Sequence, residues 1–441
     1  MRALHPARKA GRDQRARRKP DRPRGRGSTR VKAALEGLKV ADFSWFGAGP
    51  ICASHLATYG ATVVRVESET HIDSLRTIAP FAKDKTGYNV SGYFNNFNPG
   101  KLGITLNLNA PEGAGVARKL VEWADVFITN ITPRVIERWG LTYETISEWN
   151  PKIIAAYQPM QGYDGPHKDF LGFGAVLTPI TGYSHISGFP ERLPIGLGTN
   201  YPDYVINPGH TLVAIMAALH YRHRTGKGQR IECAQLESSV CPLAPAICDY
   251  TANGVEQNRI GNHLPIASPH SAFKCTPHTN GGRPMDARWV AIACFDDDEW
   301  SALAAVIGDS VSDAKFATLE GRKENEDELD AAINAWTADK DAFAVMEDLQ
   351  SRGVPAHVVE SAREMLDFDE HLKARGYYVY LDHPEAGRSA YDGPPAKLSK
   401  TPGKLRSPAP LLGQHTEQVC KEILGLGDDE IADLMVAGAL I

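Results

Sequence analysis

A carboxylate, Asp203, lies in a stretch of Gly, Asn and Pro near the start of the segment GLGTNYPDYVINPGHTLVAIMAALHYRHRTGKGQ, residues 196 to 229. Such a group is ionised near neutral pH and can attack a carbonyl carbon directly. Pro202, Pro208 and Gly209 remove donors or permit unusual dihedrals, so the residues before the apolar run read as irregular. From Thr211 to Tyr221, Leu212, Val213, Ile215, Met216 and Leu219 recur at helical spacing, with Ala214, Ala217 and Ala218 allowing close packing. The spacing therefore places Asp203 just ahead of a buried helix, where a carboxylate can be held rigidly beside a cleft. The same position also suits a helix cap or an Asx turn. Nothing in this segment alone decides between the two.

The elements that would position it begin near Ala34. LEGLKVADFSW reads as a short apolar strand, followed by the turn Gly47-Ala48-Gly49-Pro50 and the helical segment ICASHLATYG. A second strand, ATVVRVES, completes a βαβ unit, for which a parallel sheet is the economical arrangement. PEGAGVARKLVEWADVFITNI reads as an amphipathic helix feeding a strand that ends at Asn130. A short helix (residues 142 to 149) and the strand KIIAAYQPM follow. The first 160 residues predict an open α/β sheet with its active loops at the strand C-termini. The GAGP turn is not the GxGxxG fingerprint of dinucleotide binding, which weakens a hydride-transfer reading. It still offers a helix N-terminus that could face a phosphate. Residues 251–288 are rich in Gly, Pro, Asn and His and read as a long irregular stretch. RWVAIACF, DDDEWSALAAVIG, a helix near residues 326 to 335, DKDAFAVMEDLQSRG and VPAHVVE then outline a smaller α/β module, roughly 270–365.

The 441 residues suggest two domains, or one large domain with an insertion. Hydrophobic content of 42% and charged content of 23% are ordinary for a soluble globular chain. No apolar run is long enough to span a bilayer. Seven scattered cysteines without a CxxC pair form neither a disulfide framework nor a zinc signature, and fit reduced thiols in a cytoplasm. The histidines do not cluster at metal-ligand spacing. The net charge of −5 hides an asymmetry: residues 1–30 carry ten Arg and two Lys against two Asp, a net of +10, leaving −15 on the remainder. That tail reads as a disordered, solvated segment. An organelle-directing peptide would carry more serines than the lone Ser28, and a nucleic-acid-binding arm would carry aromatics.

Several pieces in this order resemble the class III CoA-transferases: LEGLKVADFSWFGAGP, ATVVRVES, NNFNPGKLGITLNLNAPEG, ADVFITNITPRVIERWGL, MQGYDGP, RTGKGQ and PLLGQHTEQV. The likeness covers residues 35 to 441. It implies a large Rossmann-like domain built from residues 34–240 and, through 366–441, the C-terminal part of the chain. A linker (241–269) and a smaller α/β domain (270–365) lie between them, behind a basic tail (1–33). It also implies two chains threaded as interlocked rings, in a homodimer or with a homologous subunit. The implied activity moves CoA from an acyl-CoA thioester to a carboxylic acid, with Asp203 as nucleophile through a mixed anhydride and an aspartyl-CoA thioester. Coenzyme A is then a substrate, with no permanently bound cofactor and no metal. Matching positions imply CoA contacts from Lys101, Leu106, Asn107, Asn130, Ile131 and Arg138. Gly47, Gly49, Gly281 and Gly282 become candidates for the oxyanion donors and the covering loop.

The chain departs from the family at several places. Ser68 and Glu69 stand where many relatives carry a basic residue after the second strand. Phe173 and Gly174 stand where family racemases place a histidine, and His167 lies too early, so an acyl-CoA racemase is the lesser reading. An extra residue or two follows Tyr201-Pro202-Asp203-Tyr204 before Gly209, which leaves Asp164 and Asp169 as fallback nucleophiles. A non-catalytic subunit of a heteromeric transferase is the alternative from another class. Trp45, Phe46, Phe173, Tyr201 and Tyr204 would make an aromatic acyl pocket better suited to a bulky or aryl acid than to formate or oxalate.

Overall fold

Six short strands form one parallel sheet: β1 (Lys39–Asp42), β2 (Thr62–Glu67), β3 (Leu102–Thr105), β4 (Val126–Thr129), β5 (Ile154–Tyr157) and β6 (Gln229–Glu232). This is a computed structural model that describes residues 32–280, 283–285 and 287–441. The strand order is β3-β2-β1-β4-β5-β6, with Val40 level with both Val63 and Val126. The chain reverses its direction of travel across the sheet between β1 and β4. In open α/β sheets, ligands bind in the crevice beyond the strand C-termini at such a switch point.

The strands are apolar on both faces because both are covered. Val40, Val63, Val126 and Ile154 pack against Leu56 of α1 (Ala48–Thr58) and Ile215 of the long helix 207–225. Their neighbours Ala41, Val64, Phe127 and Ala155 face Leu120 and Val121 of α2 (Pro111–Trp123). The same layer contains Val419, Cys420, Ile431 and Leu440 from the end of the chain. That segment is stitched to the β3 edge: the Asn107 amide donates to Ala439 O at 2.8 Å, and Thr105 N–H to Thr416 Oγ1 at 3.0 Å. Residues 33–441 form one compact unit.

A separate three-stranded antiparallel sheet has Trp289–Ala293 at its centre, flanked by His270–Lys274 and Ala356–Val358. Phe273, Val290 and Ile292 pack there against Trp300, Leu303, Leu329, Ile333 and Leu349 of the covering helices. The sequence reading of 251–288 as irregular is thus corrected in part. A helix (Ala244–Asn253) enters it, and the edge strand His270–Lys274 lies inside it. The seven cysteines are all free thiols. No described helix is long and apolar enough to cross a membrane. The basic tail through residue 31 lies outside the described residues, as do Gly281 and Gly282.

Candidate active site at the sheet switch point

The segment carrying Asp203 is regular, contrary to the sequence expectation. Pro202–Ile206 forms a π-helical turn that runs directly into the helix Asn207–Thr225. Pro202 falls in the first turn, where a missing N–H costs nothing because that donor has no intrahelical partner, whereas Pro208 lies inside the continuous winding and removes one rung at the junction of the π turn and the helix. The wider π turn accommodates one more residue than an α turn. Asn207, fully buried, anchors the junction. Its side chain donates to Gln235 Oε1 at 3.2 Å and accepts from Ser238 Oγ. On the outer side, Tyr204 Oη donates to Tyr93 Oη at 2.6 Å.

Asp203 is 2% exposed, yet it lines a cavity of about 530 Å³. Among the described residues one hydrogen bond holds its carboxylate: Gly174 N–H donates to Oδ2 at 2.5 Å. Burial pushes its carboxyl up to about 6, against the Gly174 donor, which pulls the other way. Gly174 sits where the resemblance expected a racemase histidine, and it must be glycine. A Cβ there would stand 2.6 Å from Asp203 Oδ2 and 2.7 Å from Asn200 Cβ.

The opposite wall is the β1–α1 turn. Gly47 is the N-cap of α1 without any side-chain cap, and Gly47 and Ala48 both line the cavity. Neither amide donates to another described residue. A Cβ on Gly47 would meet Asp203 Cβ at 3.0 Å, so this glycine permits the carboxylate to approach the helix start. Gly49 serves packing instead: its Cβ would lie 2.2 Å from Ser44 Cβ.

Two side chains set this turn. Asn130 clasps the Trp45 backbone, accepting from its N–H at 2.9 Å and donating to its C=O at 2.6 Å. Asp73 accepts the Phe46 N–H at 3.0 Å. Phe46 has φ of +64°, a conformation that costs a non-glycine residue about 1–3 kcal/mol and needs such restraint. Asp73 belongs in turn to a buried charge network. Arg65 bonds Asp73, Ser44 O (2.8 Å) and Glu67 (3.3 Å), while Arg76 grips Glu67 through both carboxylate oxygens at 2.8 Å. Burial opposes ionisation of Glu67, but the Arg65 and Arg76 charges hold it down to about 2.

The structure brings together Asp203, Gly47, Asn130, Ile131 and Arg138 around this cavity. Leu106 and Asn107 line a neighbouring cavity with Ser68, Thr70 and His71. The two cavities share Trp45, His71, Arg138 and Trp139. Arg138, exposed at the end of the helix Pro133–Arg138, has no hydrogen bond or ion pair with another described residue. Lys101 is not brought to either cavity. Its ammonium is buried and spent on Asp42 Oδ2, Pro50 O and Asn98 Oδ1 at 2.8–2.9 Å. Burial lowers its pKa to about 8, with Asp42 opposing. Asp164 and Asp169 are exposed and line neither cavity. Trp45, Phe46 and Phe173 line the Asp203 cavity, the two Phe rings 4.9 Å apart, whereas Tyr201 and Tyr204 do not. His71, Met160 and Gln235 were not anticipated. His71 follows the second strand by four residues, and no spacing rule marks such a position.

A Rossmann-type sheet with a buried carboxylate at its switch point defines an α/β enzyme scaffold. Residues 35–416 match CoA-transferase family III, and the chain belongs to that family. It is 31% identical to the succinyl-CoA–D-citramalate CoA-transferase of Chloroflexus aurantiacus, over 92% of this chain and 98% of the relative. The beta subunit of the succinyl-CoA–L-malate CoA-transferase from the same organism is also 31% identical, with the same coverage. The formyl-CoA:oxalate CoA-transferase of Rhodopseudomonas palustris is 30% identical over 92% of this chain and 97% of its own. Among solved structures, a CAIB/BAIF family protein from Brucella suis superimposes with a TM-score of 0.80 at 29% identity, covering 89% of this chain and 99% of that one.

Proposed function

We propose that this chain transfers CoA from an acyl-CoA to a carboxylic acid with Asp203 as the covalent nucleophile. The observation that carries the reading is a nearly buried carboxylate lining the switch-point cavity opposite the uncapped start of α1. An Asp203 oxygen attacks the thioester carbonyl, the C–S bond breaks, and CoA leaves as thiolate, giving a mixed anhydride. The thiolate attacks the aspartyl carbonyl and releases the donor acid as carboxylate. The acceptor carboxylate then attacks the aspartyl thioester and expels the thiolate again. Attack of that thiolate on the acceptor acyl carbon yields the new acyl-CoA and regenerates Asp203. Each addition develops an oxyanion, for which the free Gly47 and Ala48 amides at the positive end of α1 are the available donors.

In this reading CoA lies across the two joined cavities. The neighbouring one, lined by Leu106 and Asn107, takes the nucleotide end, and Arg138 offers a planar fork to phosphate where Ser68 and Glu69 supply no cation. Asn130 acts by holding Trp45. Lys101 acts by pairing with Asp42 inside the fold. A second copy covers the apolar residues left exposed on the Asn207–Thr225 helix, notably Val213 (72% exposed) and Met216. Because one relative is named a beta subunit, a homologous partner chain is the second arrangement to test.

The test is to incubate the purified chain with acyl-CoA donors and hydroxylamine and to locate the adduct by mass spectrometry. Modification at residue 203, absent in Asp203→Ala, supports the reading. Full transfer activity in Asp203→Ala overturns it. Inactivity of the chain alone, restored by a homologous partner while Asp203→Ala stays competent, would favour the non-catalytic subunit.

A further inference from the structure

We infer that the acid exchanged at Asp203 is a hydrophobic monocarboxylic acid, aryl or branched alkyl, rather than a dicarboxylic acid; this rests on the function proposed above. The cavity around Asp203 has two kinds of wall. Phe46, Met160 and Phe173, with Trp45 beside them, supply an apolar surface, and the Phe46 and Phe173 rings are tilted 30° to one another at 4.9 Å. The cationic candidates among the described lining residues are Arg138 and His71. Both belong equally to the neighbouring cavity, whose lining includes Glu67, Ser68 and Asn107. They therefore stand at the junction where the phosphates of CoA need them, and among the described residues no other lysine, arginine or histidine lines the Asp203 chamber.

A second cavity, lined by Tyr93, Thr178, Thr199 and Asn200, the last of these beside Gly174, likewise has no lysine, arginine or histidine among its described lining residues. An acid with a second carboxylate would have to desolvate that charge against aromatic rings and neutral groups, which is strongly unfavourable without a partner. An aryl or branched chain would instead replace water on the Phe46–Phe173 pair. The relatives named above act, by their names, on succinyl, citramalate, malate, formyl and oxalate groups, so it is the hydrophobic bulk of the acid together with its single carboxylate that separates this chain from them.

The experiment measures kcat/KM for phenylacetyl-CoA and 3-methylbutanoyl-CoA against succinyl-CoA, and for the matching free acids as acceptors. Each donor is also assayed for the residue-203 adduct. The expected result is a preference of about tenfold or more for the monocarboxylic members, from the unpaired second carboxylate. Phe173→Lys supplies the missing cation at a half-exposed position and is expected to shift the ratio toward succinate. If succinyl-CoA is equal or better while the adduct still forms at Asp203, the inference falls and the nucleophile stands. If no donor modifies Asp203 and no acid is exchanged, the function itself falls and the inference with it.

Discussion

The backbone amide of Gly174 donates to Oδ2 of Asp203 at 2.5 Å, and Oδ2 occupies nearly the space a side chain on Gly174 would need. Donor and clearance come from one residue. Gly174→Ala is expected to push the carboxylate aside and to lower kcat by at least about a hundredfold, a misplacement effect. The overall fold should lose only about 1–3 kcal/mol. Steady-state kinetics beside a thermal melt separate the two, and equal losses in both would count against a positioning role.

Burial raises the Asp203 pKa from 3.8 to about 6, so activity dependent on its ionised form is expected to fall as pH drops through about 6. Stability runs the other way. The folded-state pKa is the higher one, so the contribution is fully present below the ordinary carboxylate pKa and is lost as pH rises through about 6. Keeping the charge buried above pH 6 costs about 3 kcal/mol relative to an exposed carboxylate. Asp203→Asn should therefore be inactive yet more stable at pH 7.5, with the gain shrinking toward pH 4. Urea denaturation at the two pH values reads this directly.

Asn130 is tied to both polar groups of the Trp45 peptide. Asn130→Ala leaves them without partners, at a cost of about 1–3 kcal/mol. It should reduce kcat more than it raises KM for acyl-CoA, since the displaced element is the β1–α1 turn. A change confined to KM would instead make Asn130 a direct CoA contact.

Arg138 and Lys101 should respond in opposite ways. Arg138→Ala removes an exposed, unpaired cation, so stability should stay within about 0.5 kcal/mol while KM for acyl-CoA rises about tenfold. Lys101→Met leaves Asp42 buried without its ammonium and should cost about 3–5 kcal/mol. CoA affinity of the folded fraction should be unchanged. Isothermal titration with CoA and denaturant melts on both variants check the pair.

The sequence disclosed the parts of this architecture that depend on local pattern. β1, β2, β4 and β5 are short apolar runs with turn residues at their ends, and α2 has a clear amphipathic repeat. β3, the four residues LGIT at the sheet edge, carries too little pattern to be seen. The start of the Asn207–Thr225 helix was hidden because proline and glycine look alike whether they break a helix or open one. Lys101, which the resemblance implies as a CoA contact, follows a glycine turn. Its burial depends on Asp42, 59 residues earlier, which lies two strands across the sheet with β2 between them. The coupling of Asp73 to Phe46, and of Gly174 to Asp203, likewise exists only once distant segments meet.

The π turn at Pro202–Ile206 has an evolutionary corollary. Because the surplus residue is stored as a local widening, the bearing of the carboxylate is set separately from the rotational phase of the helix behind it. Deleting one residue there would restore ordinary winding and leave residue 203 close to its present bearing, because a π turn takes one more residue than an α turn for about the same rotation. The buried face of the helix, through Thr211, Ile215 and Ala218, would be left as it is. A one-residue change of length is thus absorbed at the turn, and the carboxylate keeps its place beside the chamber while the packed face of the helix behind it is preserved.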